Sequence, residues 1–450
     1  MTRPRPHEAA DYAVIGLGIT GQSVLRHLVG RGARVVVADT RREPPGLAAV
    51  RAAYPGVEFV TGPLDDDLLA RCGELVVSPG VPLEEPALRA ALARGQAVIG
   101  DIELFVRAAR APLVAITGTN GKSTVTTLVG EMLAAAGCDV RIGGNLGTPA
   151  LDLLGTAEPD CYVLELSSFQ LDLTRSLAAR VGVVLNLTPD HLDRHGDFAR
   201  YAAAKARILE RADVAVVNAD DPVVAAFSGG RRRVEFSLGA AGPARYGLAE
   251  RDGQPVLTAP DGAVVAAREL RLTGRHNLAN ALAALAITDA MGAPREACVA
   301  ALRAFRGLPH RAAMVARVDG VSFVDDSKAT NPGAAIATIE GLLCAGNGVV
   351  VAGGEPKGTG FGEFADCLVR HARAVVLIGR AATAIEGAID GRLPCVVATD
   401  MVAAVRTAAE LAQPGDTVLL APACASFDMF DDYVARGRAF VAAVRALEAG

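Results

Sequence analysis

The chain has 450 residues, 51% of them hydrophobic and 21% charged, with a formal net charge of −5. That length exceeds a single core and fits about three domains, and the composition is that of a soluble globular protein, which excludes a disordered tail. Acidic residues outnumber basic ones, 50 to 45, and the basic ones are scattered, which excludes a broad nucleic-acid footprint. The longest apolar runs, such as 181–187 and 418–421, are strand-sized and fall short of the ~20 residues that a membrane span needs. Met1-Thr2-Arg3-Pro4-Arg5-Pro6 lacks the apolar core of a signal peptide, so a cytoplasmic protein is expected. Eight cysteines lie between Cys72 and Cys424 with no Cys-x-x-Cys pair. That pattern fits buried thiols in a reducing cytosol better than disulfides or a zinc site.

Short β-branched runs alternate with Ala/Leu-rich stretches of helical character, the signature of parallel sheets wrapped by helices. The first block opens with a strand at 13–15, the turn Gly16-Leu17-Gly18-Ile19-Thr20-Gly21 and a helix from about Gln22. A second strand, 34–38, ends at Asp39. A Gly-x-Gly-x-x-Gly turn with an acid about 20 positions on fits NAD, with Asp39 on the ribose. It equally fits any phosphate held at a helix N-terminus, including that of a UDP-sugar, or a turn with no ligand. Thr40-Arg41-Arg42 directly after Asp39, and a second phosphate loop further on, argue against redox chemistry.

The second block starts with a strand at 113–116 that runs into Gly118-Thr119-Asn120-Gly121-Lys122-Ser123-Thr124 and then a helix from Lys122. Ile116 stands where the usual phosphate loop has its first glycine, yet the physics survives. Backbone N–H groups converge on a β-phosphate, Lys122 reaches a γ-phosphate, and the Ser123 or Thr124 hydroxyl can ligate Mg²⁺. Strands near 162–166 and 181–187 lead to Glu165 and, past Asp190, to His191. Neighbouring strands of a parallel sheet share one crevice at their carboxyl ends, so Glu165 and His191 should converge there as hard-metal ligands. A small antiparallel patch is expected over 234–272, followed by a helix over 277–291. The third block begins near His310, with strands at 349–352, 375–378 and 418–420; the seams are softest near Pro112 and Pro309.

Forty-one arginines face only four lysines: Lys122, Lys205, Lys328 and Lys357. Lys persists where Arg fails, where a compact ammonium enters a phosphate cradle or an amine must lose its proton. All four fall within or beside polar, turn-rich clusters. The simplest reading of Lys205 is a solvated helix residue, yet the chain otherwise uses Arg on helix surfaces.

Together these motifs resemble the Mur ligase family, the ATP-dependent amide-forming enzymes of peptidoglycan assembly, along nearly all 450 residues. The Gly118 loop, Glu165-Leu166-Ser167-Ser168 and His276-Asn277-Leu278-Ala279-Asn280 are family-wide. The Gly16 turn, Asp39-Thr40-Arg41, Gly307-Leu308-Pro309-His310-Arg311, Asp326-Ser327-Lys328-Ala329-Thr330-Asn331 and Pro422-Ala423-Cys424-Ala425-Ser426 point to the member that adds D-glutamate to UDP-N-acetylmuramoyl-L-alanine. Glu355-Pro356 before Lys357, and Tyr433 at an aromatic position, depart from the pattern. The resemblance implies an α/β protein of three domains. Residues 1–100 would be Rossmann-like and bind the UDP substrate. Residues 101–309 would form a P-loop ATPase-like centre, a mostly parallel sheet with helices on both faces. Residues 310–450 would be Rossmann-like and bind D-glutamate.

The resemblance further implies ligation through an acyl phosphate, with ATP, two Mg²⁺ sites and a carbamate on Lys205, in a monomer with no nucleic-acid partner and no membrane insertion. Lys122, Glu165, His191 and Lys205 would be catalytic. ATP would meet Gly118, Thr119, Asn120, Gly121, Lys122, Ser123, Thr124, Asn277, Asn280, Arg311, Asp326 and Lys328. The UDP substrate would meet Ile19, Thr20, Thr40, Arg41, Ser78, Gly80, Asn145 and His191. D-Glutamate would meet Thr330, Lys357, Ser426, the backbone of Phe427, and Tyr433. Metal ligands would be Ser123, Glu165, His191 and the Lys205 carbamate. The rivals are an NAD oxidoreductase, which does not need the Lys122 loop, a regulatory NTPase, which does not need Lys328 and Lys357, and a folylpolyglutamate synthase, which does not need the Gly16 block.

Overall fold

The computed structural model describes residues 10–272, 274–356, 358 and 360–448. The first sheet contains β1 (Tyr12–Ile15), β2 (Val35–Asp39), β3 (Glu58–Thr61), β4 (Glu74–Val77) and β5 (Ala97–Ile99), all parallel, in the order β3-β2-β1-β4-β5. Its central strands are continuous apolar runs buried on both faces, as expected of a parallel sheet covered by helices on either side. Gly16 (φ +91°) turns the chain after β1, and a Cβ on Gly21 would stand 1.8 Å from the Gly16 carbonyl oxygen, so both positions need glycine. The helix after this turn begins at Ile19 and not at Gln22, because Gly18 already serves as its extended N-cap.

The second sheet holds β6 (Leu113–Thr117), β7 (Val140–Gly144), β8 (Cys161–Glu165), β9 (Val181–Val184), β10 (Val214–Asn218), β11 (Arg232–Phe236), β12 (Arg245–Arg251), β13 (Gln254–Ala259) and β14 (Gly262–Ala266). Their order is β14-β13-β12-β11-β10-β9-β6-β8-β7, parallel from β7 to β12 and antiparallel across β12-β13-β14, so the expected antiparallel patch forms the edge. Of the segment 181–187 only Val181–Val184 is strand; Leu185 and Leu187 stay buried, on either side of the polar Asn186, while the chain leaves the sheet. One core under this sheet packs the Lys122–Ala135 and Arg275–Ala290 helices. The core on its other face is shared with the first domain, where Phe105, on the Asp101–Ala108 helix, meets Tyr162 edge-on at 5.0 Å.

The third sheet is β15 (Ala313–Val318), β16 (Val321–Asp325), β17 (Gly348–Gly353), β18 (Ala372–Ile378), β19 (Cys395–Val397) and β20 (Thr417–Leu420). Its order is β15-β16-β20-β17-β18-β19, with only β15 antiparallel and a core on each face. In all three sheets the polar motifs lie just beyond carboxyl ends of adjacent parallel strands, the place where open α/β sheets bind ligands. None of the eight cysteines is in a disulfide, but Cys344 is exposed and Cys138 and Cys395 are half-buried, so the expectation of buried thiols holds for only five. Among the described residues no helix is long and apolar enough to cross a membrane.

Candidate active site

The loop after β6 is fixed by contacts that a side chain would break. Gly121 has φ +81°, and a Cβ there would stand 2.6 Å from Asn280 Oδ1. The N–H of Asn120 donates to Asn186 Oδ1 (2.8 Å) and that of Thr119 to the Asn186 carbonyl (2.9 Å), which fastens the loop to the exit of β9. Thr119 and Tyr201 join their hydroxyls at 2.8 Å. Lys122 Nζ donates to the carbonyls of Gly118 (2.9 Å) and Thr119 (2.8 Å), which closes the loop on itself.

Glu165, at the end of β8, is 3% exposed. Ser123 Oγ donates to its Oε2 (2.6 Å) and Asn145 Nδ2 to its Oε1 (2.6 Å). Burial pushes this carboxyl up, but the Lys122 charge, those two hydrogen bonds and the Arg311 charge outweigh it and hold Glu165 ionised, below the usual glutamate range. Arg311 reaches across from the third domain to donate to Ser123 Oγ at 2.7 Å. An ionised carboxylate beside a serine hydroxyl is a hard-oxygen set suited to Mg²⁺.

Lys205 lies on the Phe198–Ala206 helix as expected, but it is 2% exposed and not a solvated residue. Its Nζ donates to Gly118 O (2.8 Å) and Thr117 Oγ1 (3.1 Å) and stands 5.0 Å over the Tyr201 ring. Burial and the Lys122 charge, against weaker pulls from Asp190 and Glu165, drive its pKa well below the ordinary lysine value. That shift favours the neutral amine, the form that can add CO₂. His191 sits at φ +54°, a left-handed conformation held only where the surroundings impose it. Its ring packs edge-on against Phe169 (5.0 Å). One cavity is lined by Lys122, Asn145, His191 and Lys205, with Pro79 and Gly80 from the first domain.

Beside it, a cavity of about 510 Å³ gathers Ile19, Thr20, Thr40, Arg41, Ser78, Gly80 and Asn145. Of the residues expected at the UDP substrate, only His191 stands instead in the Lys205 cavity. Asp39 is not free to grip a ribose. Its carboxylate accepts from the Leu17 N–H (2.7 Å) and from the Arg41 N–H and guanidinium (2.8–2.9 Å). Across the phosphate loop, a third cavity brings together Asn120, Gly121, Thr124, Asn277, Asn280, Arg311, Asp326 and Lys328. Asn186, Asn218 and Phe236 line it too and were not singled out from the sequence, and so does His276 of the His276–Asn280 motif.

The expected acceptor residues lie beyond β16 and β20. Ser426 is buried, its carbonyl capping the N–H groups of Met429 and Phe430, whereas Phe427 is 73% exposed. Lys328 Nζ sits 4.0 Å over the Tyr433 ring. Thr330 N–H donates to the Lys328 carbonyl (2.7 Å). Lys357 lies outside the described residues. Arg436, 1% exposed, was missed: its guanidinium donates to Ser327 Oγ and to the carbonyls of Ser327, Cys424 and Ala425, tying the two acceptor loops together. A buried arginine on a terminal helix carries no sequence signal that separates it from the forty others.

Residues 10–100 match the Mur ligase MurD-like N-terminal domain, 116–288 the Mur ligase middle domain, and 310–424 the Mur ligase glutamate ligase domain. The chain is 50% identical over 442 residues to the UDP-N-acetylmuramoylalanine--D-glutamate ligase of Nitrosococcus oceani, covering 98% of each chain. It is also 50% identical over 437 residues to the enzyme of that name from Pseudomonas fluorescens, covering 96% of this chain and 97% of the other. The MurF ligase of Thermotoga maritima, solved in complex with ADP, superposes with a TM-score of 0.61 at 17% identity, covering 97% of this chain and 95% of that one, a likeness of fold. By these domain matches and by half-identity along nearly its whole length, the chain belongs to the Mur ligase family.

Proposed function

We propose that this protein joins D-glutamate to UDP-N-acetylmuramoyl-L-alanine with consumption of ATP, a cytoplasmic step of peptidoglycan precursor synthesis. The observation that carries the reading is the arrangement of three cavities in series. The first-domain cavity shares Pro79, Gly80 and Asn145 with the Lys205 cavity. The 119–124 loop then separates the Lys205 cavity from the one bounded by Asn277, Asn280 and Asp326. On this reading residues 1–100 hold the UDP end, 101–309 the nucleotide, and 310–450 the incoming amino acid.

The substrate carboxylate enters the Lys205 cavity from the first domain and attacks the γ-phosphorus of ATP held across the loop, giving an acyl phosphate and ADP. The D-glutamate amine adds to that carbonyl, and the tetrahedral adduct collapses with loss of phosphate and a proton to the amide. Little covalent work falls to the protein; positioning and charge neutralisation carry such a transfer. Lys122 supplies a cation next to the phosphate-binding N–H groups, released from the Gly118 and Thr119 carbonyls when a phosphate displaces them. Arg311 keeps the third domain against the loop through Ser123. Ser123, Glu165, His191 and the Lys205 side chain would hold Mg²⁺, which would offset the phosphate charge. The ionised Glu165 fits that role, and a Lys205 whose pKa is lowered by burial fits carbamylation.

The deciding assay is phosphate release. It should require UDP-N-acetylmuramoyl-L-alanine and D-glutamate together; release with ATP alone at an equal rate, or hydride transfer to NAD, would overturn the reading.

A further inference from the structure

Away from these cavities, Glu340, Cys367 and His371 place one donor atom each within 4.8 Å of one another. Cys367 and His371 are four residues apart on the Gly362–His371 helix and so share one face, and Glu340 approaches from the Pro332–Leu342 helix packed against it. The Cys367 side chain is completely buried, Glu340 is exposed, and His371 lies between. His371 Nδ1 is buried with no hydrogen-bond partner, a state a folded protein usually resolves with a water or an ion.

We propose that Glu340, Cys367 and His371 form a site for a borderline-soft divalent cation of the Zn²⁺ or Co²⁺ class, held by three protein ligands and one water. Thiolate and imidazole donors select such ions over Mg²⁺, so the site does not compete for the metal of phosphate transfer. Tetrahedral ligands around zinc stand about 3.3–3.8 Å apart, so the three donors need to close by up to roughly 1.5 Å. Glu340 must let go of Arg370, 3.1 Å away, but that ion pair is exposed on both sides and holds it only weakly. Binding expels the thiol proton, since the thiolate is the form that ligates. The bound ion would pin the 332–342 helix, whose Ala334, Ala337 and Thr338 line the nucleotide-side cavity. The Cys-x-x-x-His spacing, with its third ligand far upstream, escaped the sequence reading, which looked for paired cysteines.

The test is a Co²⁺ titration of the full chain, stripped with EDTA and kept in excess Mg²⁺. One equivalent should give a thiolate-to-cobalt charge-transfer band in the near ultraviolet, bleached by Zn²⁺. Cys367→Ser should lose the band, whereas Cys344→Ser, at the exposed thiol, should keep it. Glu340→Gln and His371→Ala should weaken Co²⁺ binding about tenfold or more. Zn²⁺ should raise the melting temperature of the wild type and raise that of Glu340→Gln less. Absence of the band in the wild type, its persistence in Cys367→Ser, or unchanged affinity in both Glu340→Gln and His371→Ala would overturn the proposal. The readout does not depend on ligase activity, so it stands or falls apart from the reading of the main site.

Discussion

Lys205 Nζ donates a 2.8 Å hydrogen bond to the carbonyl of Gly118, the residue that opens the phosphate loop. A charged ammonium at 2% exposure beside Lys122 is costly, and that cost pulls the Lys205 pKa well below the ordinary lysine value. A neutral amine adds CO₂ to give a carbamate, which exchanges a cation for an anionic oxygen donor. Arginine stays protonated and cannot. Lys205→Ala should lower kcat by roughly 10²-fold or more, the scale of losing a group that neutralises a developing charge. A small carboxylate should restore part of the activity to Lys205→Ala and none to Lys205→Arg. Full activity in the arginine variant would sink the idea.

Lys122 makes a separate prediction because its ammonium is tied to two loop carbonyls. Those bonds are replaceable by phosphate oxygens, so the residue acts on the transferring group. Lys122→Ala should cost about 3–4 kcal/mol, 10²–10³ in kcat, with melting temperature nearly unchanged. A variant that turns over at the wild-type rate would show that the γ-phosphate lies elsewhere.

How far the sequence carried the site depended on how local each signal was. The Gly118 loop was legible because sterics dictate glycine at a tight strand-to-helix turn, and Gly121 faces Asn280 at a distance no Cβ tolerates. Lys205 stood out through the rarity of lysine in an arginine-rich chain and through the family resemblance, while its burial did not show in the sequence. The bonds that hold the domains in place were not legible. Arg311 meets Ser123 across 188 residues and Asn331 meets Asp190 across 141, pairings that no periodicity encodes. Strand limits failed where apolar residues serve a buried loop, as Leu185 and Leu187 do.

The Gly16 turn could be read as an NAD site from spacing alone, and Asp39 decides against it. Its carboxylate accepts four hydrogen bonds, one from Leu17 and three from Arg41, so it is engaged within the turn itself. Calorimetry should show saturable binding of the UDP-sugar substrate without ATP, and none of NAD. Arg41→Ala should weaken the UDP-sugar roughly tenfold or more, the worth of a charge-assisted hydrogen bond to phosphate. Tight NAD binding to the wild type would return the turn to redox chemistry.

For the amino-acid end, Ser426 offers a buried hydroxyl in a loop that Arg436 braces through the neighbouring carbonyls. A hydroxyl donating to a carboxylate contributes about 1.5–3 kcal/mol. Ser426→Ala should therefore raise the KM for D-glutamate about tenfold or more and leave the KM for ATP alone. An unchanged KM for D-glutamate would move the acceptor carboxylate to another part of the third domain.

Asp101 gives a stability prediction that does not touch the chemistry. It is 3% exposed at the start of the Asp101–Ala108 helix; Oδ2 accepts from Gln170 Nε2 (3.1 Å) and Oδ1 has no partner. Burial pushes its carboxyl up to about 6, more than the Gln170 bond and the helix N–H groups pull it down. Below about pH 4 both folded and unfolded chains carry the proton, and the group is neutral to stability. Between pH 4 and 6 the unfolded chain loses its proton first, so stability falls as pH rises, by about 3 kcal/mol once both forms are ionised. Asp101→Asn keeps an acceptor for Gln170 and removes that penalty. Denaturant unfolding should find the variant more stable than the wild type at pH 7.5, with the gap closing toward pH 4.5. A gap of the same size at both pH values would mean that the carboxyl is not held protonated by its burial.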